Sequence, residues 1–261
     1  MSRQPPGEPP PPTLQRLRIR YAKRGRLRFT SHRDFARAFE RALRRAEVPM
    51  AYSAGFSPHP KVSYVGASPT GVASEAEYLE IGLARRVDLE RLWLALDASL
   101  PAGLDLVEVV EAASGTLPER IDASLWEVLL PGVEAAGLAA AVEAFLAREA
   151  VFVSRLTKTG QREINARAAV VSAGTGRVTD SWGGDCATLD LVVRHVTPAV
   201  RPDDVLAGLQ SVADLELPEP PRATRLAQGA LDATGQITDP LAADRVPIAE
   251  AGSVAAAPAA P

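Results

Sequence analysis

The stretch "LQRLRIRYAKRGRLRFTSHRDFARAFERALRRA", Leu14–Ala46, decides the fold. Its first part alternates. Leu17, Ile19 and Tyr21 fall on one side and Arg16, Arg18 and Arg20 on the other, which is the period of a strand. Beyond "FTS" the period changes. At about 100° per residue, Phe35, Phe39, Ala42, Leu43 and Ala46 gather on one side of a helix that ends at Ala46. Arg33, Arg37, Arg41 and Arg44 fall on the opposite side, and Arg45 extends that basic edge. Thr30 or Ser31 is placed to cap the helix, and Ser31 followed by Asp34 is an acidic variant of the capping box.

Working outward, "KVSYVGA" and "SEAEYLEIGLA" predict strands separated by a turn at Pro69 and Gly71. "VDLERLWLALDASL" predicts a helix capped by Asp88, and "LDLVEVVEA" another strand. The order β-α-β-β-α-β over 14–112 is the ferredoxin-like split βαβ unit, with helices on one sheet face and the other face left for binding. A similar order recurs over 120–231. "SLWEVLLP" is a strand, "VEAAGLAAAVEAFLARE" a helix, and "VFVSRLT", "INARAAVVSA" and "CATLDLVVRHV" are strands. A short helix starts at Pro202, and "ATRLAQG" closes the sheet. The expected fold is therefore α+β, two ferredoxin-like (βαββαβ) halves in tandem joined near 113–120. Disordered tails are expected at both ends, Pro-rich over 1–13 and Ala/Pro-rich over 236–261.

No apolar run approaches the roughly 18 residues of a membrane span. The proline-rich start is not a secretory signal, and a single cysteine, Cys186, allows no internal disulfide. Together these predict a cytoplasmic protein with no membrane partner. The net charge of −3 hides an asymmetry: residues 1–62 hold 14 Lys and Arg against four Asp and Glu, and the remainder 15 against 28. A basic portion on an acidic body predicts an anionic partner; the alternative is that the two portions pair within the fold.

Guanidinium donates two parallel hydrogen bonds to one phosphate, so an arginine stripe with little acidic compensation points to nucleic acid. Arg24 and Arg28 flank the start of the helix, and Arg16, Arg18 and Arg20 extend the patch along the strand. Tyr21 and Phe29 are aromatic neighbours, Tyr21 by alternation a core residue. His32 sits in the first helical turn, beside backbone N–H groups that favour anions. His59 and Lys61 lie in "YSAGFSPHPKVSY", a loop stiffened by two prolines, where Phe56 is an anchor or a stacking platform. The expected RNA-binding set is Arg24, Arg28, His32, Arg33, Arg37, Arg41, Arg44, Arg45, His59 and Lys61. His32 and His59 are the only catalytic candidates. His195 has no metal-binding neighbours in sequence, and no metal or cofactor is expected. Glu75, Glu77 and Glu80 are expected to decorate a sheet edge, and no phosphate-loop, nucleophile-elbow or zinc-protease motif is present.

"YAKRGRLRFTSHRDFARAFERALRRAEVPMAYSAGFSPHPKVSY", then "GVASEAEYLEIGL" and "TRLAQGAL", resemble the radical-SAM-linked protein family of uncharacterised function, over roughly 15–232. The resemblance implies a partner: such proteins are fused to, or encoded beside, a radical-SAM protein with a cobalamin-type domain, near genes for ribonuclease E/G and ribosomal proteins. It supplies no catalytic residues. An iron–sulfur cluster of that kind needs three cysteine thiolates and this chain has one cysteine, so the radical-SAM protein is expected as a separate chain. The expected function is an RNA-binding accessory to that enzyme, in tRNA or rRNA modification or processing. The alternatives are a metal-independent ribonuclease resembling the CRISPR repeat-associated RNA-processing proteins, with His32 and His59 as acid and base, and a protein-binding scaffold.

Overall fold

The structure is a computed structural model that describes residues 11–157, 160–179 and 185–245. It is α+β and mostly sheet. The first half runs β1 (Gln15–Lys23), α1 (His32–Arg45), β2 (Val62–Val65), β3 (Ala73–Leu83), α2 (Leu89–Asp97) and β4 (Leu104–Glu111). The second runs β5 (Ala123–Pro131), α3 (Ala135–Leu146), β6 (Phe152–Thr157), β7 (Gly160–Asn165), α4 (Ala166–Ala169), β8 (Val170–Thr179), β9 (Asp185–Arg194), α5 (Pro202–Ala213) and β10 (Arg222–Gly229).

Eight of these strands form one sheet in the order β4-β1-β3-β10-β5-β9-β8, with β2 also on β3. All pairings within each half are antiparallel. The halves meet where β10 runs parallel to β3, at Thr224 opposite Ala73 and Arg225 opposite Ser74. "ATRLAQG" thus lies at the centre of the sheet and splices the halves. It can do so because β2 is four residues long and covers β3 only at Tyr78–Ile81, leaving Ala73 and Ser74 open. The segment "INARAAVVSA" is not one strand. The Asn165 side chain accepts a hydrogen bond from the N–H of Ala168 and starts the short α4, so β6 and β7 form a hairpin of their own.

Two cores follow from the alternation. Leu17, Ile19 and Tyr21 of β1 and Leu79, Ile81 and Leu83 of β3 meet Phe35, Phe39 and Leu43 of α1 and Leu92 and Leu96 of α2. Val128, Leu130, Leu189 and Leu191 meet Leu138 and Phe145 of α3 and Val205 and Leu209 of α5. Burying a side chain such as Phe39 stabilises the fold by about 1.5–3 kcal/mol. The caps are those the sequence indicates: Ser31 accepts from the N–H of Asp34 at 3.2 Å, and Asp88 from that of Arg91 at 2.9 Å.

The far face of the first half is not left open. Residues 236–245, expected to belong to the C-terminal tail, fold across it. Leu241 packs with Ala76, Tyr78, Val110, Leu117 and Ile121. Asp244 is buried and accepts hydrogen bonds from Arg18 and Arg120 at 2.8 Å and from the N–H of Ala113 at 2.9 Å. A Cβ on Gly229 would lie 1.8 Å from the carbonyl oxygen of Thr238, so this crossing needs a glycine. One leucine, the paired Asp244 and Arg245, which binds Glu108, help to hold a segment whose composition reads as a tail. The rest of that tail, 246–261, and residues 1–10 of the N-terminal one lie outside the described residues.

Candidate nucleic-acid interface

The anchor of α1 is aromatic. Phe35 stacks on Tyr21 with ring centres 4.3 Å apart and planes 2° from parallel, and Phe39 lies 5.7 Å further on. This fixes the rotation of the helix and turns Arg33, Arg37, Arg41, Arg44 and Arg45 to solvent. Arg33, Arg41 and Arg44 have no side-chain hydrogen bond or ion pair among the described residues. Arg37 has a loose pair with Asp34 at 3.9 Å, both exposed, which contributes little. Arg45 is bound to the carbonyl of Ser99. Glu40, one turn before Arg44 on the helix, forms no ion pair with it among the described residues. Glu40 instead acts on Tyr64, whose hydroxyl is pushed well above its ordinary pKa by burial and by that carboxylate.

Four other arginines of the opening stretch, Arg16, Arg18, Arg20 and Arg24, are engaged within the fold, whereas Arg26 is exposed. Arg24 donates to Glu75 at 2.7 Å and to Asp105 at 2.9 Å, and the bonds to Glu75 hold its pKa above the ordinary arginine value. Arg18 is fully buried between Asp244 and Glu80, Arg20 donates to the carbonyl of Glu75, and Arg16 lies 3.4 Å from Glu80. Arg28 is half-buried, its guanidinium 4.7 Å from the ring of Phe29 and its Nε without a partner. The acidic residues read as edge decoration are therefore ion-pair partners: β3 is an interior strand, and Glu75, Glu77 and Glu80 bind Arg24, Arg225 and Arg18 respectively. Much of the basic portion pairs with the acidic body, and what remains outward is the face of α1 together with Arg26 just before it.

The expected site is divided. His32 is exposed at the start of α1, with its ring edge-on to Tyr64 at 4.8 Å. On β2 alternation turns Val62 and Tyr64 toward the α1 core and Lys61 and Ser63 away from it. His59 and Lys61 accordingly line a cavity of about 420 Å³ with Arg16, Ser53 and Glu80, on the sheet face opposite α1. Lys61 donates to Thr13 at 2.9 Å, and the loop closes on itself through Ser53 and His59. His32 and His59 line different surfaces, and Phe56 is strongly exposed at the loop tip. No cluster of His, Cys, Asp and Glu suited to a metal occurs among the described residues. No helix there is long and apolar enough to cross a membrane.

One constellation was not legible in the sequence. The hydroxyl of Ser124 lies 2.8 Å from Nε2 of His195, 71 positions away. Both line a cavity of about 360 Å³ where the two halves meet, with Trp126, Arg201 and Arg225. Arg225 is buried, bound to Glu77 and Gln228, and its guanidinium lies 5.3 Å from the centre of the Trp126 ring. The β5–β9 register, Ser124 opposite Val193, brings Ser124 beside the end of β9; nothing local to His195 marks this.

Comparison with known proteins adds a family and little else. The model of a family described as uncharacterised protein conserved in bacteria (DUF2344) matches residues 16–202. No curated protein matches the chain. Among solved structures, a crystal structure of an unknown protein from Galdieria sulphuraria is 16% identical and is covered over 98% of its length by 81% of this chain. Its TM-score of 0.24 is too low to bear on fold or function.

Proposed function

We propose that this chain, which belongs to the DUF2344 family of conserved bacterial proteins, is a cytoplasmic RNA-binding accessory that serves a separate radical-SAM enzyme in tRNA or rRNA modification or processing. The observation that carries this reading is the outward face of α1. After the basic and acidic portions of the chain have paired, Arg33, Arg41 and Arg44 remain without a partner among the described residues, and Arg37 is only loosely held. Unpaired guanidiniums on a rigid helix are suited to phosphates in fixed positions. The radical-SAM partnership rests on the sequence resemblance set out above, and the single cysteine of these 261 residues is too few to hold such a cluster among them. We read both halves as ferredoxin-like units, supported by the antiparallel orders β4-β1-β3-β2 and β10-β5-β9-β8, with the β6–β7 hairpin and α4 as an insertion in the second.

Crosslinking in cells followed by sequencing of bound RNA tests the proposal, with wild type compared against Arg37→Glu plus Arg41→Glu. The expected result is a defined RNA that is lost in the variant. Equal recovery from both proteins, or no enrichment over background, overturns it; the arginine face is then a protein-docking surface.

A further inference from the structure

The cavity between the halves has a composition at odds with the chain that surrounds it. Acidic residues outnumber basic ones in the protein as a whole. Among the described residues, those that line this cavity include Arg201, Arg225 and His195 and no carboxylate. The nearby acids are turned elsewhere. Glu77 binds Arg225 and accepts from the N–H of Ser68. Asp204 binds Arg155 and the N–H of Arg201, and the Asp122 carboxylate accepts from the N–H of Leu231. Behind the wall, the buried Lys23 ammonium donates to the carbonyls of Ser68 and Pro69 and sets a second cation beside Glu77. Arg225 is held by Glu77, burial lowers the pKa of the Lys23 ammonium behind them, and Arg201 adds a guanidinium at the rim.

A cavity lined by guanidiniums and by no carboxylate favours an anion. The hydrogen-bonding groups fit the same conclusion. Burial and the charge of Arg225 hold the His195 pKa below its ordinary value and so favour the neutral ring, which carries one N–H. With Ser124 and His195 hydrogen-bonded to each other, one of their protons is left over, in a cavity that Arg201 and Arg225 also line. Val193, Val200 and the Trp126 edge supply apolar walls. The space exceeds what a bare ion needs and lies within the range of small-molecule sites.

We propose that the cavity at the junction of the two halves binds a phosphate group through Ser124, His195, Arg201 and Arg225. The phosphate comes from a small phosphorylated metabolite or from the end of an RNA chain. This site is separate from the α1 face and does not depend on it.

The test uses the full chain, observed by NMR at the His195 ring and at the indole N–H of Trp126. The probes are inorganic phosphate and a short RNA with either a 5′-phosphate or a 5′-hydroxyl. Inorganic phosphate should move both signals saturably. Ser124→Ala and Arg201→Gln should each weaken binding by about tenfold, the effect of one hydrogen bond to a charged group. Arg201 is exposed, so its variant keeps the test sound if the buried Ser124→Ala fails to fold. Arg37→Glu plus Arg41→Glu should leave phosphate binding unchanged, which separates this site from the RNA-binding face. Tighter binding of the 5′-phosphorylated RNA than of phosphate, with none for the 5′-hydroxyl form, assigns the group to an RNA end; binding of phosphate alone assigns it to a metabolite. No saturable shift up to roughly 10 mM phosphate, beyond the weak end of useful affinity, overturns the proposal. So does a shift that neither variant alters.

Discussion

Replacing Arg41 and Arg44 together by glutamine should halve the salt dependence of RNA binding. Glutamine removes the charge and keeps helix propensity, so α1 should persist. Four guanidiniums on this helix are available to phosphates: Arg33, Arg41 and Arg44, and Arg37 with its loose pair at 3.9 Å. Arg45 is bound to Ser99 and is not counted. At about −0.9 per phosphate neutralised on a duplex, four contacts give a slope near −3.6 in log affinity against log salt, and two give about −1.8. Between roughly 50 and 200 mM salt the wild type should then lose about 100-fold in affinity and the variant about tenfold. Fluorescence anisotropy with a labelled RNA hairpin at several salt concentrations measures both slopes. Arg24→Gln is the control. Its guanidinium is bound to Glu75 and Asp105, so the slope should not change although the fold weakens. A slope for Arg41→Gln/Arg44→Gln equal to that of wild type refutes the assignment of these residues to phosphates. A slope reduced by Arg24→Gln as much as by the helix variant refutes the distinction between paired and free arginines.

Asp244→Ala should destabilise the protein by about 3 kcal/mol in urea unfolding, because it leaves Arg18 charged and buried with only part of its compensation. The same group sets a pH dependence. Burial alone would raise the Asp244 pKa, but the bonds from Ala113, Arg18 and Arg120 outweigh it and hold it below the ordinary value. Its contribution is therefore complete above about pH 4, the unfolded pKa, and is lost as pH falls through the lower folded one. Acid unfolding of wild type should be steeper below about pH 4 than that of Asp244→Ala. Ser31→Ala removes the cap of α1 and should cost about 1 kcal/mol, read by thermal melting.

The first half of the fold was legible because its signals are local. Alternation in "LQRLRIRY", the switch to helical period at "SHRD" and the two caps each lie within a few residues, and each side chain went where its period placed it. The central position of β10 was not legible. Pairing of Thr224 with Ala73 spans 151 residues and depends on the shortness of β2, which no feature of "ATRLAQG" reveals. The cover over the far sheet face was hidden for a related reason. Residues 236–245 are low in hydrophobic periodicity, and their hold on the fold is one buried leucine and scattered polar contacts such as Asp244 with Arg18 and Arg245 with Glu108, which make no pattern.

Charge is where local reading loses most. The sequence shows a run of arginines and cannot show which of them are already answered, because the answers come from far along the chain. Arg18 meets Glu80 after 62 residues and Asp244 after 226, and Arg225 meets Glu77 across 148. A strand arginine whose neighbours across the sheet are glutamates is bound within the fold, and β1 lies against β3, which carries Glu75, Glu77 and Glu80. Arginine on the solvent face of α1 has no facing strand, so its neighbours in space are its neighbours on the helix, and these include few acids. This is why the helical arginines remained outward and the strand arginines did not. His195 is the reverse case. It looked isolated because its partner Ser124 and the arginines beside it belong to other strands and to the turn before α5, and only the β5–β9 register and the splice at β10 bring them into one cavity.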